Sequence, residues 1–62
     1  MNNHVVLKDY IGDGVYALFD GYGIWLYAND PERPSDKIYI EPCVLDSLNK
    51  FADRCYPMKG AI

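Results

Sequence analysis

The chain is poor in almost everything that lets a small protein stand alone or an enzyme do chemistry. It has one histidine and two cysteines in 62 residues, and none of them stands at zinc-ligand spacing such as CxxC. Cys43 and Cys55 both fall in one predicted helix, which separates them by roughly 18 Å along its axis. A disulfide needs Cα atoms about 4.4–6.8 Å apart, so no intrachain bridge is expected and both read as small apolar helix residues. Reduced thiols fit a cytosolic protein. Long apolar runs are missing too: no stretch approaches the roughly 18 residues that span a bilayer. Met1-Asn2-Asn3-His4 lacks the basic region and apolar core of a signal peptide, so a cytoplasmic location is expected, with no membrane partner.

Positive charge is scarce and dispersed. Nine acidic residues face six basic ones, for a net charge of −3. Lys8, Arg33, Lys37, Lys50, Arg54 and Lys59 form no run, which excludes the basic stripe that a general DNA or RNA binder uses to displace phosphate counterions. A small anionic ligand needs only one or two well-placed cations and stays open. Nucleophilic catalysis finds little support: Ser35 and Ser47 lack a nucleophile-elbow pattern, and His4 reads as a partly exposed terminal histidine. Asp9/Asp13 and Asp20/Asp30 could approach at strand ends, the minimum for acid–base work or Mg²⁺. Acidic loop residues, however, more often bond their own backbone. Gly12-Asp13-Gly14-Val15-Tyr16-Ala17 matches G-x-G-x-x-A, but a dinucleotide site needs a helix after the glycines, and here the next residues alternate as a strand. The expectation is a non-enzyme with no catalytic residue, no metal and no cofactor.

What the chain does have is hydrophobic and aromatic content, at 50% and 15%. At this length it forms one domain, residues 1–62, that buries only about 60% of its unfolded surface. Such scaffolds are completed by disulfides, a metal or a partner subunit, and the first two are missing.

A strand-like stretch runs from Val5 to Tyr10, and Ile11-Gly12-Asp13-Gly14 is a turn. Val15–Asp20 and Ile24–Asn29 alternate as a hairpin around Asp20-Gly21-Tyr22-Gly23, with a type I′ turn expected at Asp20-Gly21. Two prolines stiffen the loop Asn29–Asp36, and Lys37–Ile40 is a further strand. Pro42 opens a helix, with Val44, Leu45, Leu48, Phe51, Ala52 and Cys55 on one stripe. Asp46 to Lys50 has the favourable acid-first i,i+4 order, and Asp46 also suits the positive end of the helix dipole. Pro57 ends the helix, and Met58–Ile62 reads as a mobile or exchanged tail. The expected fold is α+β: an antiparallel β-meander of three to four strands with one C-terminal amphipathic helix packed across it.

Alternation sorts the sheet into two faces. Val15, Ala17, Phe19, Ile24, Leu26, Ala28, Ile38 and Ile40 suit the helix. Tyr16, Leu18, Trp25, Tyr27 and Tyr39 are left on the other face, too apolar and aromatic for water. One helix cannot cover both, so self-association is expected. The aromatic face serves either as that interface or as a platform on which rings stack a flat base while Arg33 or Lys37 holds a phosphate.

Tyr10-Ile11-Gly12-Asp13-Gly14-Val15-Tyr16-Ala17-Leu18-Phe19-Asp20-Gly21, then Ile24-Trp25-Leu26, then Ile38-Tyr39-Ile40-Glu41-Pro42 with Val44-Leu45, resemble a family of small bacteriophage and prophage proteins. Its pattern is of the type Y-x-G-D-G-V-Y-x-x-F-D-G … I-Y-x-x-P-x-V-L, and the resemblance covers Tyr10 to Phe51. By analogy of size, origin and architecture, such proteins resemble viral sponges. Those sequester nucleotide immune signals, ADP-ribose derivatives or cyclic nucleotides, without cleaving them. The resemblance implies an anti-defence homodimer or higher homo-oligomer in the host bacterial cytoplasm, with its pocket at a subunit interface. Tyr16, Trp25 or Tyr27 would stack on the base and Arg33 and Lys37 would meet phosphates. Asp13, Asp20 or Asn29 would bind ribose hydroxyls or base edges. The alternative is an inhibitor that docks its aromatic face on a host protein.

Overall fold

A computed structural model describes residues 5–57. The expectations for His4 and for the Met58–Ile62 tail concern residues outside that range. Four strands, β1 (Leu7–Gly12), β2 (Val15–Phe19), β3 (Ile24–Ala28) and β4 (Asp36–Ile40), precede one helix, α1 (Pro42–Cys55). The strands form one antiparallel sheet in the order β1-β2-β3-β4, the meander that short connections dictate.

Two-residue turn chemistry closes the first hairpin rather than the second. Asp13 and Gly14 have φ of 54° and 79°, the paired positive values of a type I′ turn. Just before them β1 carries a bulge between Tyr10 and Gly12, with Gly12 itself at φ 130°. The glycines of the G-x-G-x-x-A string thus serve a hairpin, and the strand β2 follows them.

The type I′ turn expected at Asp20-Gly21 is replaced by a wider loop. There the Asp20 Oδ1 accepts the N–H groups of Tyr22 and Gly23, both at 2.9 Å. This side-chain-capped turn keeps Asp20 out of the positive-φ region and leaves Gly21 alone there, at φ 100°.

The register puts the two expected faces on opposite sides. Leu7–Phe19, Phe19–Ile24 and Ile24–Ile40 are cross-strand partners, as are Asp9–Ala17, Ala17–Leu26 and Leu26–Ile38. With Val15, Ala28 and Asp36 they make the aliphatic face. The other face is built in two rows, Tyr10–Tyr16–Tyr27–Lys37 and Lys8–Leu18–Trp25–Tyr39.

The helix corrects the expectation. It does not lie across the sheet: none of its residues is buried, and substantial element-to-element contact is confined to successive strands. Glu41 is the one residue between β4 and α1, and it is extended, with φ −76° and ψ 161°. One extended residue followed by a proline of fixed φ cannot reverse the chain over the sheet. The helix therefore runs on from the strand.

The apolar stripe keeps its water-facing surface, with Val44 50%, Leu48 46% and Phe51 52% exposed. Asp46 lies beyond the first turn, which holds no acid. Its contribution is the ion pair to Lys50 at 3.3 Å, not the dipole.

The resulting body is long, at 42 × 23 × 19 Å, with a radius of gyration of 13.4 Å; a compact chain of this length measures about 10.5 Å. Among the described residues the hydrophobic core amounts to Leu18 and Ile40, 6% and 8% exposed.

Candidate aromatic binding face

Period-2 alternation on three adjacent strands places Tyr16, Trp25, Tyr27 and Tyr39 on one side of the sheet. The edge strand adds Tyr10, which alternation alone had not brought into the group. The rings pack on one another. Trp25 and Tyr39 centroids lie 4.8 Å apart, Trp25 and Tyr27 6.3 Å apart, and Tyr10 and Tyr16 4.9 Å apart. All three pairs are tilted or edge-on, the arrangement the ring quadrupoles favour.

Lys37 crosses this surface. Its Nζ sits 5.4 Å from the Trp25 ring centre and 5.6 Å from that of Tyr27, within cation–π range of both. Lys8 occupies the far end of the Trp25 row. In the paired strand positions the aromatic face therefore carries two lysines and no acid, whereas the aliphatic face carries Asp9 and Asp36 and no base. A chain of net charge −3 has concentrated what positive charge its sheet holds beside its aromatic rings.

The remaining expected residues divide between the two ends of the sheet. Asp13 lies in the β1–β2 turn, and Asn29 begins the β3–β4 loop at φ 75°. The Asn29 N–H donates to the Gly14 carbonyl at 2.6 Å and its Nδ2 donates to Ser35 Oγ at 2.6 Å, which ties turn and loop together. Arg33 belongs to the same loop, where its own N–H and that of Glu32 donate to Asp30 Oδ1. Those bonds hold the Asp30 carboxyl below the usual carboxylate range. The Arg33 side chain makes no ion pair among the described residues. Asp13, Asn29, Arg33 and Lys37 thus gather at the Tyr16–Tyr27 end.

Asp20 is at the opposite end, and its carboxylate is already engaged. Besides the two loop N–H groups, its Oδ2 accepts the Tyr39 hydroxyl at 3.0 Å. The Gly23 and Tyr22 N–H bonds keep the Asp20 carboxyl below its ordinary range. Tyr39 responds oppositely: burial, then the bond to Asp20, raises its phenol above the usual value. The Tyr39 ring packs flat over Gly23, where an added Cβ would overlap the hydroxyl and ring carbons. A glycine next to an Asp-Gly turn signals flexibility in sequence; here it is a seat for an aromatic ring.

The one concavity described lies on the other side. A wide-mouthed depression of about 440 Å³ is lined by Val15, Leu26, Ala28, Asp36 and Ile38, together with Tyr27 and Lys37 from the aromatic rows.

Among the described residues no group of three or more metal-ligating side chains occurs, and no helix is long and apolar enough to cross a membrane. No family model matches the chain, and no curated protein or solved structure is significantly similar to it.

Proposed function

We propose that the protein binds a flat, anionic, nucleotide-derived ligand on its aromatic face and sequesters it as a homo-oligomer. In this reading it is a phage anti-defence protein that soaks up a bacterial immune signal, an ADP-ribose derivative or a cyclic nucleotide, in the host cytoplasm without cleaving it. The phage assignment comes from the sequence resemblance. The chemistry comes from one observation: Lys37 lies over the rings of Trp25 and Tyr27 on a face that carries no opposing acid in its paired strand positions. Stacking of a base on an aromatic ring is worth about 1–3 kcal/mol and tolerates any base, and a lysine beside it meets a phosphate as a point charge.

Tyr16, Trp25 and Tyr27 supply the stacking surface, and Lys37 with Arg33 the phosphate contacts. Asp13 and Asn29, at the same end, reach ribose hydroxyls or base edges. Asp20 serves at a distance by holding Tyr39, and so Trp25, in place. The face is too open to enclose a ligand by itself, and neighbouring copies complete the enclosure.

The test is retention. The purified protein is incubated with ADP-ribose derivatives and cyclic oligonucleotides, freed of unbound material, denatured, and assayed for what it releases. Intact ligand released only on denaturation supports the reading. A degraded product would make the protein an enzyme. Retention of none of these ligands, together with stoichiometric capture of a host protein, would replace the reading with that of an interaction inhibitor. Trp25→Ala and Lys37→Gln should each weaken retention about tenfold or more, an amount equal to about 1.4 kcal/mol.

A further inference from the structure

Among the described residues, an apolar helix ridge and an apolar sheet face with a depression are both left unpartnered. We infer that these fit each other between two copies, so that the helix of one chain lies on the aliphatic face of its partner and the exchange is reciprocal. This deepens the self-association part of the function proposed above and does not depend on any ligand.

Lengths agree first. The 14-residue helix is about 21 Å long, and the six-residue strand β1 about 20 Å. End to end they account for the 42 Å length of the molecule. Two such bodies laid head to tail bring each helix alongside the other's sheet without overhang. A two-fold axis then satisfies both contacts at once and closes the assembly.

Charge agrees next. The aliphatic face carries Asp9 and Asp36 and no base in its paired strand positions. At 100° per residue, Asp46, Lys50 and Asp53 point away from the helix stripe. The charged residue that borders the stripe is Arg54, whose guanidinium lies 5.4 Å from the Phe51 ring. Phe51 is the largest side chain on the ridge, and the depression of about 440 Å³ that Val15, Leu26, Ala28 and Ile38 line with Tyr27, Asp36 and Lys37 is the hollow that receives it.

Area agrees as well. The chain exposes 5051 Å², whereas compact monomers of its mass expose about 4,100 Å². The excess is close to the roughly 800 Å² per partner that a standard stable interface buries. Exchange through this face leaves the aromatic face open to ligand and to further copies.

Without ligand, light scattering should give twice the 7.1 kDa chain mass, falling to the single-chain mass in Leu48→Asp or, if that variant loses its circular dichroism signal, in Ile38→Asp. Contact is then mapped in a Cys43→Ser/Cys55→Ser background with a short bismaleimide. Chains carrying Phe51→Cys, mixed with chains carrying Ile38→Cys, should cross-link to each other, and mixed with Tyr16→Cys chains they should not. The inference is overturned by a wild-type mass of 7.1 kDa at high micromolar concentration. It is equally overturned by preferential cross-linking to Tyr16→Cys, or by a Phe51→Cys/Ile38→Cys double variant that cross-links within one chain. A dimer that retains no nucleotide would overturn the ligand proposal and leave this one standing.

Discussion

Among the described residues no side chain takes part in more hydrogen bonds than Asp20. It closes the β2–β3 loop through two N–H bonds and anchors the Tyr39 hydroxyl, and Tyr39 in turn packs on Trp25. Its carboxyl is held below the unfolded value, so its contribution is complete above about pH 4 and is lost as pH falls through the folded value. The midpoint of urea unfolding should therefore drop on acidification, and Asp20→Asn should flatten that slope. Asp30, also held low by loop N–H groups, keeps part of it in the variant. An unchanged slope in Asp20→Asn would mean the loop bonds do not stabilise the fold. Gly23→Ala tests the same corner from the other side. Its cost is collision with Tyr39 rather than backbone strain, because Gly23 is not among the positive-φ glycines. Overpacking of this kind costs about 1–3 kcal/mol; in a Tyr39→Ala background most of that loss should vanish, and a double-mutant cycle measures it.

At the level of elements, α1 starts without a side-chain cap, since Glu41 makes no such bond. Glu41→Ser supplies the missing acceptor and should add about 0.5–1 kcal/mol, read as a rise of several degrees in thermal midpoint. Elements were also the scale on which the sequence could be read most fully, for physical reasons that differ from one to the next. The two sheet faces were legible because side chains alternate strictly along a strand, so Trp25, Tyr27, Tyr16 and Tyr39 had to share a side. The turn types were only half legible: Asp-Gly occurs at both Asp13-Gly14 and Asp20-Gly21, and which one becomes the two-residue turn depends on whether the aspartate's side chain caps the loop instead. The helix was legible as an amphipathic segment but not in its placement, because a stripe states that something apolar must cover it and not what does. Of the candidate site, the rings followed from alternation; Lys37 was legible as a nearby cation, but its place over Trp25 and Tyr27 was not. Lys8 and Tyr10 did not follow from alternation, since a bulged edge strand gives a weaker pattern, and Asp20 looked like a free carboxylate because its partner Tyr39 is 19 residues away.

The whole molecule has two buried hydrophobic residues among those described, and in the dimer proposed above its stability depends on assembly. Raising the protein concentration tenfold should therefore raise the thermal midpoint, as mass action requires when folding and association are coupled. A midpoint independent of concentration would show that the single chain is stable as it stands. Variants on the helix ridge should remove the concentration dependence, while Trp25→Ala should leave it in place and weaken ligand retention.

The bulge in β1 has a consequence for what such a sticky chain can avoid becoming. Among the described residues both outer strands of the sheet, β1 and β4, have open backbone edges, a ready template for fibre growth. β1 meets that hazard with the kink between Tyr10 and Gly12 and with Lys8 and Asp9 in adjacent positions. β4 meets it with Asp36 and Lys37, directly after a proline-stiffened approach. An incoming strand would find a bent rail on one side and a charged one on the other. In the proposed assembly the apolar faces bring copies together face to face while these edges disfavour strand addition, so that a protein with almost no interior of its own closes into discrete particles rather than growing as fibres.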